Sequence, residues 1–454
     1  MALRGHLLVV LVLLALAVAA VASGERHRHR HRHRGKSARA RLQLVPAAPG
    51  ASLAVRARDD RHRHAYISAK LSRRRAAEVG ASAFDMPLSS GAYTGTGQYF
   101  VRFRVGTPAQ PFVLVADTGS DLTWVKCRGA TPPPPSDAPA REFRSADSKS
   151  WAPIPCSSDM CTSYVPFSLA NCSSPANPCS YDYRYKDGSA ARGVVGTDSA
   201  TIALSGDNRR TKLQGVVLGC TTSYNGRSFQ SSDGVLSLGN SNISFATRAA
   251  ARFGGRFSYC LVDHLAPRNA TSYLTFGPAP EDAAAAPAQT PLLLDRRMNP
   301  FYAVTVDAIH VAGEKLDIPA DVWDVEKNGG AILDSGTTLT ILATPAYKAV
   351  VAALSEQLAG LPRVSMDPFE YCYNWTAGAP DIPKLEVQFA GSALLEPPAK
   401  SYVIDAAPGV KCIGVQEGAW PGVSVIGNIL QQEHLWEFDL RGRWLRFKHT
   451  SCTQ

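Results

Sequence analysis

The stretch VADTGSDLTWV, residues 115–125, runs an apolar segment into Asp117 and then stops at Thr118-Gly119-Ser120. Taken alone it reads as a strand entering a turn, since Asp, Gly and Ser are ordinary turn residues. The stretch GAILDSGTTLTIL, residues 330–342, repeats the arrangement with Asp334, Ser335-Gly336-Thr337 and, two residues on, Leu339. By residue usage an Asp-[Ser/Thr]-Gly-[Ser/Thr] match arises on the order of a few hundredths of a time in a chain this long. Two copies, each behind an apolar strand, are therefore read as an internal duplication. Each half delivers one aspartate on a tight strand-end turn, and the halves are expected to face each other.

That arrangement has a chemistry. Two carboxylates held close cannot both ionise readily, so they share a proton and titrate as a coupled pair. The ionised member can take a proton from a water held between them while the protonated member polarises a substrate carbonyl. This is general acid–base hydrolysis without a covalent intermediate, a metal or a cofactor. Gly119 and Gly336 let the backbone fold against the carboxylates and offer N–H donors. Ser120 and Thr337 are placed to bond the outer carboxylate oxygens, and Thr118 and Ser335 to bond across to the opposite loop.

The texture of the chain from GQYFVRFRVG (97–106) onward is mainly β: short alternating or β-branched runs separated by Gly, Pro, Asn and Asp. PFVLVA (111–116), GVVGTDSATIAL (193–204), LQGVVLGC (213–220), FYAVTVDAIHV (301–311) and RWLRFKH (443–449) are such runs. Two helices are expected, over TPAYKAVVAALSEQLAG (344–360) and ISFATRAAARFG (243–254). The Pro- and Ala-rich stretch at 277–291 lacks periodicity and marks a boundary between two lobes, 89–285 and 286–454.

Composition sets the class: 454 residues, 45% hydrophobic and 19% charged, is an ordinary globular balance. The net charge of +10 does not point to nucleic acid, because 17 of the 48 Lys and Arg and only 5 of the 38 Asp and Glu lie in residues 1–85. The remaining chain carries 31 basic against 33 acidic residues and is near neutral. Residues 1–22 have the anatomy of a secretory signal: Arg4, an apolar run from Leu7 to Ala22, then small residues. No later run is long and apolar enough to span a membrane, so no stable membrane insertion is expected after cleavage. Residues 23–88, with RHRHRHRHR (26–34) and LSRRRAAE (71–78), are too poor in core residues to fold alone and read as a basic pro-segment or solvated tail. All ten cysteines lie from Cys127 onward, an even count that reads as a disulfide framework in an exported chain. Spacing groups Cys156, Cys161, Cys172 and Cys179 into small loops without fixing their partners. Asn171, Asn242, Asn269 and Asn374 begin glycosylation sequons. His264, His310, His434 and His449 are isolated and read as structural or surface residues.

With the paired DTGSDLTW and DSGTTLT in place, residues 95–454 resemble the pepsin-like aspartic proteases, and the cysteine-rich insertion resembles their plant nepenthesin-type branch. The resemblance implies two mainly-β lobes around a peptide-binding cleft, with Asp117 and Asp334 as the catalytic pair, polypeptide substrates and a monomeric protein. It identifies YRYKDGSAARGVVGTD (183–198) with the flap hairpin, Tyr185 with its substrate-covering tyrosine and Trp124 with the tryptophan that supports it. DGVLSLG (233–239) and SVIGNIL (424–430) match the segments that pack behind each catalytic loop. It implies disulfides Cys127–Cys220, Cys156–Cys179, Cys161–Cys172, Cys260–Cys452 and Cys372–Cys412. Two departures stand out: Ser237 replaces a glycine and is expected to crowd the Asp117 loop, and Lys186 replaces the glycine after the flap tyrosine.

The resulting expectation is a secreted endopeptidase, vacuolar delivery being the alternative route, made as a zymogen. In the zymogen Lys70, Arg73, Arg74 or Arg75 would lie across the cleft against the two aspartates, and acid would release it. The alternative is a non-catalytic binding protein of the same fold, of the xylanase-inhibitor kind, which typically loses one or both aspartates. A carbohydrate hydrolase with two carboxylates does not account for matched Asp-x-Gly turns in a duplicated chain.

Overall fold

In the strand Gln110–Asp117, Phe112, Leu114 and Ala116 enter one apolar core while Val115 enters another. The strand Ala331–Asp334 does the same, with Ala331 and Leu333 in the first core and Ile332 in the second. Side chains alternate along a strand, so a strand buried on both faces reads as a continuous apolar run. The period also fixes where each run aims its last residue. Asp117 takes the side of Val115 and Asp334 that of Ile332, and Val115 and Ile332 belong to the same cluster.

The computed structural model describes residues 40–46, 53, 60, 64, 98–131, 141–165, 174–184, 190–203, 210–225, 232–264, 266, 272–277, 287–375 and 380–452. The duplication is visible in the strand pairing. Gln110–Asp117 lies parallel to Gly234–Ser237, which also pairs with Thr123–Thr131, itself parallel to Arg210–Asn225. In the second half Ala331–Asp334 lies parallel to Ser424–Gly427, which pairs with Thr340–Ala343, itself parallel to Val415–Gly418. The registers correspond: Asp117 stands opposite Ser237, and Asp334 opposite Gly427.

A 14-stranded sheet joins the halves. His434–Asp439 from the end of the chain pairs with Arg256–Cys260, and Phe438 stacks on Phe257 at 4.7 Å and meets Tyr302 at 4.8 Å. The strand Ala40–Pro46, from the basic segment, is built into this sheet between Ser272–Phe276 and Tyr99–Val105. A part of that segment is therefore a structural strand and not a solvated tail. The boundary expected at 285/286 lies outside the described residues.

The two expected helices form, at Phe245–Arg252 and Thr344–Gln357. The Ser244 hydroxyl caps the first by accepting from the Thr247 amide, and a proline occupies the first turn of the second.

Cys127–Cys220, Cys260–Cys452 and Cys372–Cys412 pair as implied. The nested pairs Cys156–Cys179 and Cys161–Cys172 do not form, because Cys161 bonds Cys179 with the Cα atoms 5.7 Å apart. Register is the reason. Residues 154–156 run antiparallel to 177–179, with the Cys156 amide donating to the Asn177 carbonyl at 2.8 Å and the Cys179 amide to the Ile154 carbonyl at 2.6 Å. Cys156 therefore faces Asn177, and the helical turn Met160–Tyr164 brings buried Cys161 onto buried Cys179. Cys156 is also disulfide-bonded, and Cys172 lies outside the described residues.

The Cys260–Cys452 bond closes a loop of 192 residues and ties the chain's end to the shared sheet. Replacing both cysteines by serine is expected to lower unfolding free energy by about 2–5 kcal/mol, read by denaturant titration under non-reducing conditions. An unchanged midpoint would mean that the shared sheet alone holds the end.

Candidate active site

Each aspartate is held by its own loop in the same way. The Gly119 amide donates to Asp117 Oδ1 at 2.9 Å and the Ser120 hydroxyl to Oδ2. The Gly336 amide donates to Asp334 Oδ1 at 3.0 Å and the Thr337 hydroxyl to Oδ2 at 2.7 Å. Both side chains are buried. Donors to a carboxylate favour its charged form and set its rotamer.

The loops are then locked to each other. The Thr118 amide donates to Ser335 Oγ at 3.0 Å, and the Ser335 amide donates to Thr118 Oγ1 at 2.9 Å. Each hydroxyl passes its own hydrogen to a carbonyl of the opposite strand, Thr118 to Leu333 at 3.4 Å and Ser335 to Ala116 at 3.0 Å. All eight residues of the two motifs are thereby brought into one reciprocal cluster.

Behind the loops sit the two apolar segments. The Leu238 amide donates to the Asp117 carbonyl at 2.8 Å and the Asn428 amide to the Thr337 carbonyl at 2.7 Å. Gly427 permits the second approach, since a Cβ there would stand 2.4 Å from the Leu339 carbonyl oxygen. Ser237, opposite Asp117, does not crowd the loop as expected. Its hydroxyl meets Thr123 Oγ1 at 2.8 Å and accepts from the Phe245 amide at 3.0 Å, so it caps the helix Phe245–Arg252 instead.

Sequence reading missed several supports. Buried Gln98 donates to the Gly336 carbonyl at 3.0 Å, and Asn428 Nδ2 to the Ser335 carbonyl at 3.0 Å. The buried Tyr259 hydroxyl donates to Gln431 Oε1, and its pKa is pushed well above the usual phenol range by burial, then by the negative charge of Asp334 and by Tyr302. Tyr183, on the strand Ser180–Arg184, donates to Asp121 Oδ1 at 2.9 Å and so joins the expected flap hairpin to the Asp117 loop. The tyrosine alternation YDYRY was the available signal, since Tyr181 and Tyr183 share one buried face. Trp124 is fully buried in the same cluster as those two tyrosines. Tyr185 and Lys186 lie outside the described residues, as do Asn171 and Asn269, whereas Asn242 and Asn374 are exposed. Among the described residues no group of three or more His, Cys, Asp or Glu side chains could hold a metal ion, and no helix is long and apolar enough to cross a membrane.

Residues 99–278 match a family model described as xylanase inhibitor N-terminal, and residues 301–449 one described as xylanase inhibitor C-terminal. The "aspartyl protease family protein 2" of Arabidopsis thaliana is 34% identical over 384 residues, which cover 81% of this chain and 74% of that protein. The "aspartic proteinase nepenthesin-2" of Nepenthes gracilis is 31% identical over 374 residues, 80% of each. Among solved structures, basic 7S globulin from soybean covers 81% of this chain and 93% of that one, with a TM-score of 0.59 at 20% identity. Conglutin gamma from lupine seeds covers 92% and 96%, with a TM-score of 0.62 at 16% identity. Likeness to these two structures, at such identity, concerns the fold alone.

Proposed function

The chain belongs to the plant pepsin-like aspartic proteases, and we propose that it is an active, secreted endopeptidase of that family, working in acid and made as a zymogen. The observation that carries this reading is the intact pair of loops, each aspartate held by a glycine amide and a hydroxyl and the two loops cross-linked through Thr118 and Ser335. The reaction calls for one of the two carboxyls, Asp117 or Asp334, in its ionised form and the other in its protonated form. The ionised carboxylate takes a proton from a water, whose oxygen attacks the peptide carbonyl, while the protonated one gives its proton to the carbonyl oxygen. Collapse of the tetrahedral diol breaks the C–N bond as the carboxyl that took the water's proton gives it to the leaving nitrogen and the other, now ionised, takes a proton from a diol hydroxyl, which restores the pair. The pre-set donors hold both carboxylates without reorganisation during the reaction. Polypeptides are the substrates, and the protein acts as a monomer without a cofactor. Export is supported by the signal-like residues 1–22 and by the exposed sequons at Asn242 and Asn374, with the vacuole as an alternative destination.

A second reading has its own support: the matching family models are named for xylanase inhibitors, so the fold also suits a protein that binds another protein. The chain processed to remove residues 23–88 is expected to cleave denatured casein or haemoglobin with an acid optimum when scanned from about pH 3 to about pH 7, and pepstatin should abolish the cleavage. Failure to cleave at any pH after complete processing would leave the binding reading in its place.

A further inference from the structure

Three residues of the basic segment are buried against the C-terminal half: Leu53, Asp60 and His64. All three have helical backbone. Asp60 is bound as a carboxylate cap. Its Oδ1 accepts from the Thr338 amide at 2.6 Å and its Oδ2 from the Leu339 amide. These are the first two residues after the Asp334-Ser335-Gly336-Thr337 motif. His64 Nε2 lies 2.7 Å from the Val423 carbonyl oxygen, which can only accept, so the ring carries its hydrogen on Nε2. The ring lies against Gly418, where a Cβ would stand 2.2 Å from its Cε1 atom. Leu53 joins Leu339, Ile429, Phe369 and Ile404 in one apolar cluster.

We propose that Asp60 and His64 are a latch by which the N-terminal segment docks on the strand leaving the Asp334 loop, and that acid opens the latch at His64. The proposal rests on the reading of residues 23–88 as a pro-segment, and it places the hold beside the catalytic loop. Lys70 and Arg73–Arg75, expected across the cleft, lie outside the described residues.

The sign of the pH effect follows from the surroundings of the ring. Burial lowers the His64 pKa from 6.5 to about 4, and the Val423 carbonyl opposes this. The strand against the ring presents Gly418, whose neighbour Glu417 is exposed, and the turn that follows, residues 419–423, has no charged side chain. On its own segment Asp60 stands four residues back, and Arg61 and Arg63, which lie between them in sequence, are outside the described residues. The docked state therefore holds neutral imidazole, and a released histidine titrates at its ordinary value. Docking is at full strength above pH 6.5 and weakens as pH falls from 6.5 towards about 4. Across that window the docked-to-released ratio drops on the order of a hundredfold.

The test is hydrogen exchange on the full chain carrying Asp117→Asn, which cannot process itself, with rates corrected for intrinsic pH dependence. The Thr338 and Leu339 amides should be protected near pH 7 and lose on the order of a hundredfold of that protection near pH 4. His64→Gln, which keeps an N–H for the Val423 carbonyl and does not titrate, should make protection the same at both pH values. Asp60→Asn should lower it at neutral pH by about tenfold or more. Gly418→Ala acts from the body of the protein: its methyl occupies the place of the ring and should lower protection likewise. Protection of Ala331–Asp334 reports in each case that the variant is folded. Acid loosening that persists in His64→Gln, or amides indifferent to Asp60→Asn and Gly418→Ala, would overturn the latch. None of these readings needs catalysis, so a protein that never cleaves a substrate yet shows them loses the protease reading and keeps the latch.

Discussion

Asp117→Asn in the processed chain should reduce peptide hydrolysis by about three orders of magnitude or more at the acid optimum, with its thermal unfolding nearly unchanged. The asymmetry follows from the geometry. An asparagine oxygen at the Oδ1 position keeps the Gly119 amide bond, and the Ser120 hydroxyl, which now donates to Oδ2, can turn to accept from the new amide nitrogen. The cross-loop bonds of Thr118 and Ser335 do not involve the carboxylate at all. What is lost is a group that both takes and returns a proton, and the amide does neither. Measuring kcat and KM on chain processed by an external protease separates this from a failure of self-activation. Residual activity within about tenfold of the parent would mean that one carboxylate suffices, and the paired mechanism would be wrong.

How much of this was legible in the chain depends on the range of the interaction. The aspartates, their glycines and their hydroxyl partners lie within three residues of one another, so composition and spacing carry them. The continuous apolar run before Asp117 carries the strand, and the structure divides it between two cores, Phe112, Leu114 and Ala116 in one and Val115 in the other. Duplication carries the reciprocal arrangement, since two copies of one turn must meet in a related way. The supports from elsewhere had no such signal. Gln98 reaches a carbonyl 238 residues away and Asp60 an amide 278 residues away, and nothing in the sequence around either names its partner. Ser237 shows the converse error. A residue that departs from a pattern was read as one whose side chain could crowd the loop, yet its hydroxyl points to Thr123 and the start of a helix. The pairing that the resemblance implied for Cys156 and Cys161 failed for a related reason: spacing left the partners open, and the bond is decided by the register of 154–156 on 177–179 and by the fold-back of Met160–Tyr164.

The second large effect concerns the lock between the loops. Thr118→Val strands the Ser335 amide and the Leu333 carbonyl, and Ser335→Ala strands the Thr118 amide and the Ala116 carbonyl. All four groups are buried at the meeting of the halves, and each orphan costs about 1–3 kcal/mol. Either single change should therefore lower unfolding free energy by about 2–6 kcal/mol, read by denaturant titration. The double change should cost less than the sum, because loops already parted by one loss admit water to the groups the other exposes. Strict additivity would mean that the loops are held apart from each other by their own strands, and that the lock is incidental. Activity adds a separate discrimination. A carboxylate displaced by about 1 Å costs on the order of a hundredfold in rate, so kcat should fall far more than KM rises. A protein that served only to bind another protein would lose stability in these variants just as much. Only a chain whose two aspartates work on one water translates a loosened lock into a lost rate.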